Sequence, residues 1–182
     1  MSKYKIIALI GEAGSGKDFL LRCSRIQYPN YHEIISFTTR PLRQGEKDGV
    51  NYHFVSTTEF NEMINQGLML ETASFNGWLY GTSKSDLRED QINIGVFNPT
   101  GIRSLLAHED EIDLKVFYVR APAHTRLIRQ LQREDEPNVD EIIRRYHTDQ
   151  EDFRLLEFEH FIINNETKQD IDEALKLMVW SE

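Results

Sequence analysis

Residues Gly11-Glu12-Ala13-Gly14-Ser15-Gly16-Lys17 match the pattern G-x-x-x-x-G-K and stand at a change of hydrophobic period. Before them, Lys5–Ile10 (KIIALI) is apolar at successive positions, as in a strand buried on both faces of a parallel sheet. After them, Phe19, Leu20, Cys23 and Ile26 recur at helical spacing, predicting a helix with those residues inside, ended by Tyr28-Pro29-Asn30. A glycine-rich turn between strand and helix lets backbone N–H groups wrap a phosphate, and the helix N-terminus adds its partial positive charge. Lys17 would reach the β- and γ-phosphates of a nucleotide. The alternative is a turn that holds no ligand. Asp18 stands where Ser or Thr usually offers Mg²⁺ a hydroxyl. A carboxylate is also a hard oxygen donor, so Asp18 is a candidate metal ligand, or it simply favours the helix start.

The rest of the chain repeats the alternation. Glu33–Phe37 and Tyr52–Val55 read as strands, Ser56–Gln66 as a helix capped ahead of Glu59 and closed by Gly67, and Leu68–Phe75 as a strand. Ile92–Phe97, Leu114–Val119 and Phe158–Ile163 are further strand candidates. Helices are expected over Thr100–His108, Ala123–Arg133, Val139–Leu156 and Asp170–Trp180. Buried strands alternating with helices predict an α/β, three-layer fold with a parallel core sheet. Residues 36–82 interrupt the pattern and read as a small mixed α/β insertion. No repeat or linker divides the 182 residues, so one domain is expected.

Composition narrows the partners. The net charge is −9, which argues against a broad nucleic-acid-binding face. Residues 1–50 nevertheless carry eight basic side chains against five acidic ones, compatible with a small anionic ligand. The run Ile6–Ile10 is far too short to span a membrane, and a secretory signal pattern is lacking. The single cysteine, Cys23, precludes an internal disulfide and fits a reducing, cytoplasmic setting; on the helix's apolar face it is expected in the core. The six histidines show no metal-ligand spacing.

The segment from Ser36 to Phe54 contains T-T-R-x-x-R-x-G-E-x-x-G-x-x-Y-x-F, and in it the chain resembles the guanylate kinases. The resemblance continues through Phe60–Ile64, Leu70–Ala73 and Gly77–Thr82, and resumes weakly at Ile162-Ile163-Asn164. It implies a P-loop nucleoside monophosphate kinase with a core of residues 1–35 and 83–182, a monophosphate-binding insertion at about 36–82 and a helical lid at about 124–146. By that resemblance, Gly11, Gly14, Ser15, Gly16, Lys17 and Asp18 bind the ATP phosphates, with Asn164 at the ATP base. Arg40, Arg43, Tyr52 and Tyr80 hold the acceptor's phosphate; paired guanidinium forks suit a phosphate as lysines do not. Ser36, Glu71 and Thr82 match the guanine-reading positions, where a carboxylate can accept both N1–H and N2–H.

The family's D-x-D-x-Q-G is replaced by Val96-Phe97-Asn98-Pro99-Thr100-Gly101, which leaves Asn98 as the remaining polar candidate beside the acceptor. Arg126, Arg129, Arg133, Arg144 and Arg145 fall in the lid region; Arg145 and Arg133 are the candidates for catalysis alongside Lys17. The expected reaction is transfer of the γ-phosphate of ATP, bound with Mg²⁺, to GMP or dGMP, by a monomer or homodimer with no nucleic-acid or membrane partner. Two other readings stay open: a kinase of this fold acting on another nucleotide or sugar phosphate, and a non-catalytic interaction domain. The intact loop from Gly11 to Lys17 favours an enzyme.

Overall fold

The computed structural model describes residues 3–42, 45–75, 77–133 and 137–180. Its main sheet is parallel throughout, in the order β2 (Tyr31–Glu33), β7 (Ile92–Val96), β1 (Tyr4–Ile10), β8 (Ile112–Arg120) and β9 (Phe161–Asn164). The central strand β1 is buried on both sides. Ile7 and Leu9 join one core with Leu20, Leu21, Phe117, Val119, Ala174 and Met178, while Ile6, Ala8 and Ile10 join a second with Phe97, Ile102, Leu105 and Val116. Helices α1 (Lys17–Gln27) and α6 (Lys168–Leu177) cover the first face, and α3 (Pro99–Leu106) the second. This is the three-layer α/β arrangement read from the alternation. Among the described residues, no helix is long and apolar enough to cross a membrane.

A second, mixed sheet rises from this frame. Strands β3 (Phe37–Thr38), β4 (His53–Phe54), β5 (Met69–Phe75) and β6 (Trp78–Ser83) lie in the order β4-β3-β6-β5, with α2 (Thr57–Asn65) between β4 and β5. A capping box starts α2: the Ser56 hydroxyl accepts from Glu59 N–H, and the Glu59 carboxylate accepts from Ser56 N–H at 2.8 Å. Gly67 at φ 66° ends it. Leu70 and Ile34, both buried, anchor this sheet in the second core. Helices α4 (Ala123–Leu131) and α5 (Val139–Asp152) pack on each other beside the glycine-rich loop.

Three local expectations are corrected. The strand expected at Glu33–Phe37 is divided between β2 in the main sheet and β3 in the small one. Ile34 plugs the core, Ile35 N–H donates to the Asp86 carboxylate at 2.7 Å, and the Ser36 carbonyl accepts from His53, so the chain changes sheets there. On α1 the buried residues are Leu20, Leu21 and Ser24, not Phe19 and Ile26, which are 46% and 82% exposed; Cys23 is only partly buried. The helix is turned by its first residue: with Lys17 facing the loop, positions i+3, i+4 and i+7 share its side. The motif residues Trp78–Ser83, for which periodicity predicted no element, form β6.

Candidate active site

Tertiary contacts fix the shape of the glycine-rich loop. Gly14 (φ 79°) and Gly16 (φ 91°) adopt the left-handed backbone. A Cβ on Gly14 would strike the Arg126 backbone, and one on Gly16 the Asn165 amide, so side chains are excluded twice over. The loop's carbonyls are clasped from outside. Arg129 Nη1 donates to Gly14 O and Ser15 O at 3.3 and 3.2 Å, Asn165 Nδ2 to Ser15 O at 2.8 Å, and Gln130 Nε2 to Ala13 O at 3.4 Å. Because a trans peptide points its C=O and the following N–H in opposite directions, this clasp turns the Gly14 and Gly16 amides away from it. Lys17 Nζ reaches Glu12 O at 3.5 Å. Burial lowers the Lys17 pKa, against the opposing pull of Asp18, Asp149 and Glu12.

Charged side chains surround the loop. Glu12 pairs with buried Arg126 at 3.6 Å, whose guanidinium lies 5.4 Å from the Tyr146 ring centre. Burial, aided by Glu12, pushes the Tyr118 phenol up to about 12. Asp149 on α5 accepts from Ala13 N–H at 2.6 Å. Asp18, in the first turn of α1, faces Arg133 at 3.7 Å, both well exposed. Arg145 donates to Glu141 one helical turn away at 2.8 Å, and Arg144 donates to the same carboxylate at 2.7 and 3.0 Å. Hydrogen bonds from Arg144, then Arg145, hold Glu141 down to about 2. Arg145 is thus oriented by its own helix, and Arg133 by Asp18. Asn164 is exposed at the end of β9; its neighbour Asn165 is the one that packs on the loop.

The small sheet gathers the acceptor-side candidates. Arg40, 7% exposed, makes a two-pronged pair with Glu46 at 2.9 and 2.8 Å and lies over the rings of Tyr52 and Phe54. Tyr52 and Tyr80 meet edge to face at 5.9 Å, and Tyr80 contributes, after Glu46, to raising the Arg40 pKa. Arg43 lies outside the described residues. Strand pairing sets Glu71 opposite Thr82. The Thr82 hydroxyl donates to Glu71 Oε1 at 2.9 Å and lies 3.4 Å from the Ser36 hydroxyl. A Cβ on Gly101 would meet Glu71 Oε2 at 2.9 Å and Asn98 Oδ1 at 3.3 Å, so Asn98 closes the same corner while capping α3. Glu71 is 8% exposed, and burial raises its pKa to about 7. Ser36, Glu71, Thr82 and Asn98 form one polar cluster. Val96, in register with Leu9, packs with the first core.

Burial raises the Tyr52 pKa, with smaller contributions from Tyr80 and from the Asp18 carboxylate. Sequence reasoning did not assign Glu46, although the motif contains it six residues after Arg40. It also missed Asn165 and Asp149, which no local pattern marks.

A family model described as guanylate kinase matches residues 3–182. Relatives named guanylate kinase include one from Wolinella succinogenes, 32% identical over 98% of this chain and 83% of its own. Another, from Frankia casuarinae, is 29% identical and covered, like this chain, over 97% of its length. A solved guanylate kinase from Anaplasma phagocytophilum aligns with a TM-score of 0.66 over 97% of this chain and 83% of that one; at 20% identity it supports the fold alone. With the model spanning nearly every residue, this chain belongs to the guanylate kinase family.

Proposed function

We propose that this chain transfers the γ-phosphate of ATP to GMP or dGMP, releasing ADP and GDP or dGDP. The observation that carries the reading is that one chain holds both a glycine-rich loop ending in Lys17, clasped at its carbonyls by Arg129 and Asn165, and a buried polar cluster in which the Thr82 hydroxyl donates to Glu71. In the reaction an oxygen of the acceptor phosphate attacks the γ-phosphorus, and the bond to the bridging oxygen of ADP breaks. Residues 36–82 hold the acceptor, residues 1–35 and 83–182 hold ATP, and the helices of about 124–146 supply the lid. Arg40, Arg43, Tyr52 and Tyr80 bind the acceptor phosphate. Glu71, with Ser36, Thr82 and Asn98, reads guanine. Gly11, Gly14, Ser15, Gly16 and Lys17 cradle the donor phosphates, Asn164 lies toward the ATP base, and Arg133 and Arg145 reach the transferring group on lid closure.

Mg²⁺ is the metal such a reaction uses, and it commonly binds through one or two carboxylates plus substrate phosphates and water. Asp18, exposed and adjoining Lys17, fits that donor set. Bound there, the ion would neutralise charge on the donor phosphates. Arg133 then balances the carboxylate that replaces the usual hydroxyl. A single cysteine and dependence on ATP agree with a cytoplasmic enzyme.

A coupled ADP-release assay across all ribo- and deoxyribonucleoside monophosphates tests the reading. Turnover is expected with GMP or dGMP and should cease when EDTA removes the metal. Turnover with AMP, CMP or UMP but with neither guanine nucleotide would refute the assignment.

Arg40→Met probes the phosphate side. Loss of one charge-assisted contact should weaken GMP by about 1.5–3 kcal/mol, with ATP binding unchanged. The melting temperature should also fall, because the two-pronged pair between Arg40 and Glu46, whose side chain is 19% exposed, is lost. Equal weakening of ATP and GMP in calorimetry would remove Arg40 from the acceptor site.

A further inference from the structure

In a phosphate loop the main-chain N–H groups serve anionic oxygens, and here one of them is already taken. Ala13 N–H donates to Asp149 Oδ2 at 2.6 Å across 136 residues of sequence. The carboxylate is partly buried between α5 and the loop. Lys17, Glu12 and Arg126 act on it from the loop and α4, and it acts on Arg144 of its own helix. Lys17, the side chain proposed to meet the donor phosphates, therefore has Asp149 as one of its negative neighbours. An anionic oxygen bonded to a loop amide beside the loop lysine does what a phosphate oxygen does, but it belongs to the protein.

We propose that the Asp149 carboxylate competes with the donor's phosphates for the phosphate loop, so that this side chain sets how tightly the chain holds ATP and ADP. The inference rests on the nucleotide-binding reading of the loop. Asp149 adds negative charge where a triphosphate must bring more of it, and it occupies Ala13 N–H. Binding then requires the carboxylate to give up that contact. The penalty grows with the number of phosphates and does not touch the acceptor site.

Asp149→Asn keeps an oxygen acceptor for Ala13 and removes the charge. Calorimetry should show ADP and ATP binding about tenfold tighter than in the wild type, more so for ATP than ADP. Adenosine and GMP should be unchanged. Asp149→Ala should move nucleotide affinity in the same direction if the Asn variant does not fold. A purely structural role would weaken every ligand or none, without this dependence on phosphate number.

In the wild-type chain, saturating ADP should also move the Ala13 amide resonance as the carboxylate leaves. Unchanged or weakened ATP binding in the variants, or an Ala13 resonance that ADP does not move, would overturn the proposal. Affinities are read without turnover, so a chain that binds ADP as described but phosphorylates no guanine nucleotide would defeat the functional reading and leave this one standing.

Discussion

Glu71→Gln is expected to make the protein more stable above pH 7 while nearly abolishing its use of GMP. Glu71 is buried, and its pKa is raised from 4.5 to about 7. Between those values the folded chain holds a proton that the unfolded chain has released, so wild-type stability falls as pH rises through that window. Above it the buried carboxylate costs about 3 kcal/mol. Gln removes that cost and keeps an oxygen for the Thr82 hydroxyl, so thermal melts should show a higher melting temperature for the variant at pH 8 and no gain at pH 4.

The same change places an NH₂ donor against guanine's own donors. kcat/KM for GMP should drop by about two to three orders of magnitude, because a buried mismatch leaves donors unpaired. In the wild type, KM for GMP should decrease as pH rises from 6 to 8, since only the ionised carboxylate accepts both guanine N–H groups. A variant with unchanged guanine preference, or a wild type with no GMP affinity change across pH 7, would place Glu71 outside the base site.

Lys17→Met should reduce kcat by about 10²–10³-fold, the loss typical of one preorganised group that stabilises transition-state charge. KM for ATP should rise as well. GMP binding, measured by calorimetry without ATP, should be unaffected, because the Glu71 cluster proposed to hold the acceptor is built on the other sheet. Folding should survive: the ammonium's hydrogen bond to Glu12 O is long, 3.5 Å, and burial already disfavours its charge. A kcat within tenfold of the wild type would show that the phosphates are neutralised elsewhere.

Much of the candidate site was legible in the sequence, for a physical reason. The strand–turn–helix of residues 5–27, the capping box at Ser56 and Glu59, and the arginine–tyrosine segment each encode their structure within a few residues of themselves. Left-handed glycines, a reciprocal cap and a two-sided apolar run need no distant partner to be recognised. Glu71 and Thr82 were named from their motifs, and the hairpin of β5 and β6 is what sets them opposite each other. The pairing of Arg40 with Glu46 lay within reach too, since both belong to one short segment.

Other features depend on which surfaces meet, and no local pattern carries that information. The side of α1 that is buried follows from turning Lys17 toward the loop and packing Leu20 and Leu21 on the sheet, although Phe19 and Ile26 are equally apolar in sequence. The break between β2 and β3 arises because Ile34 is needed in the core while Ser36 already pairs with the small sheet. Asn165, Arg129 and Gln130 clasp the phosphate loop's carbonyls, and Asp149 takes one of its amides, from more than a hundred residues away. Local pattern sufficed for the phosphate loop and the α/β class, and the resemblance of its motifs for the kinase family, because these are properties of short segments and their order. The charge brought to that loop from outside, acid at Asp149 and base at Arg126, is a property of the packed helices α4 and α5, since backbone polar groups are satisfied by whatever folding brings within about 3 Å.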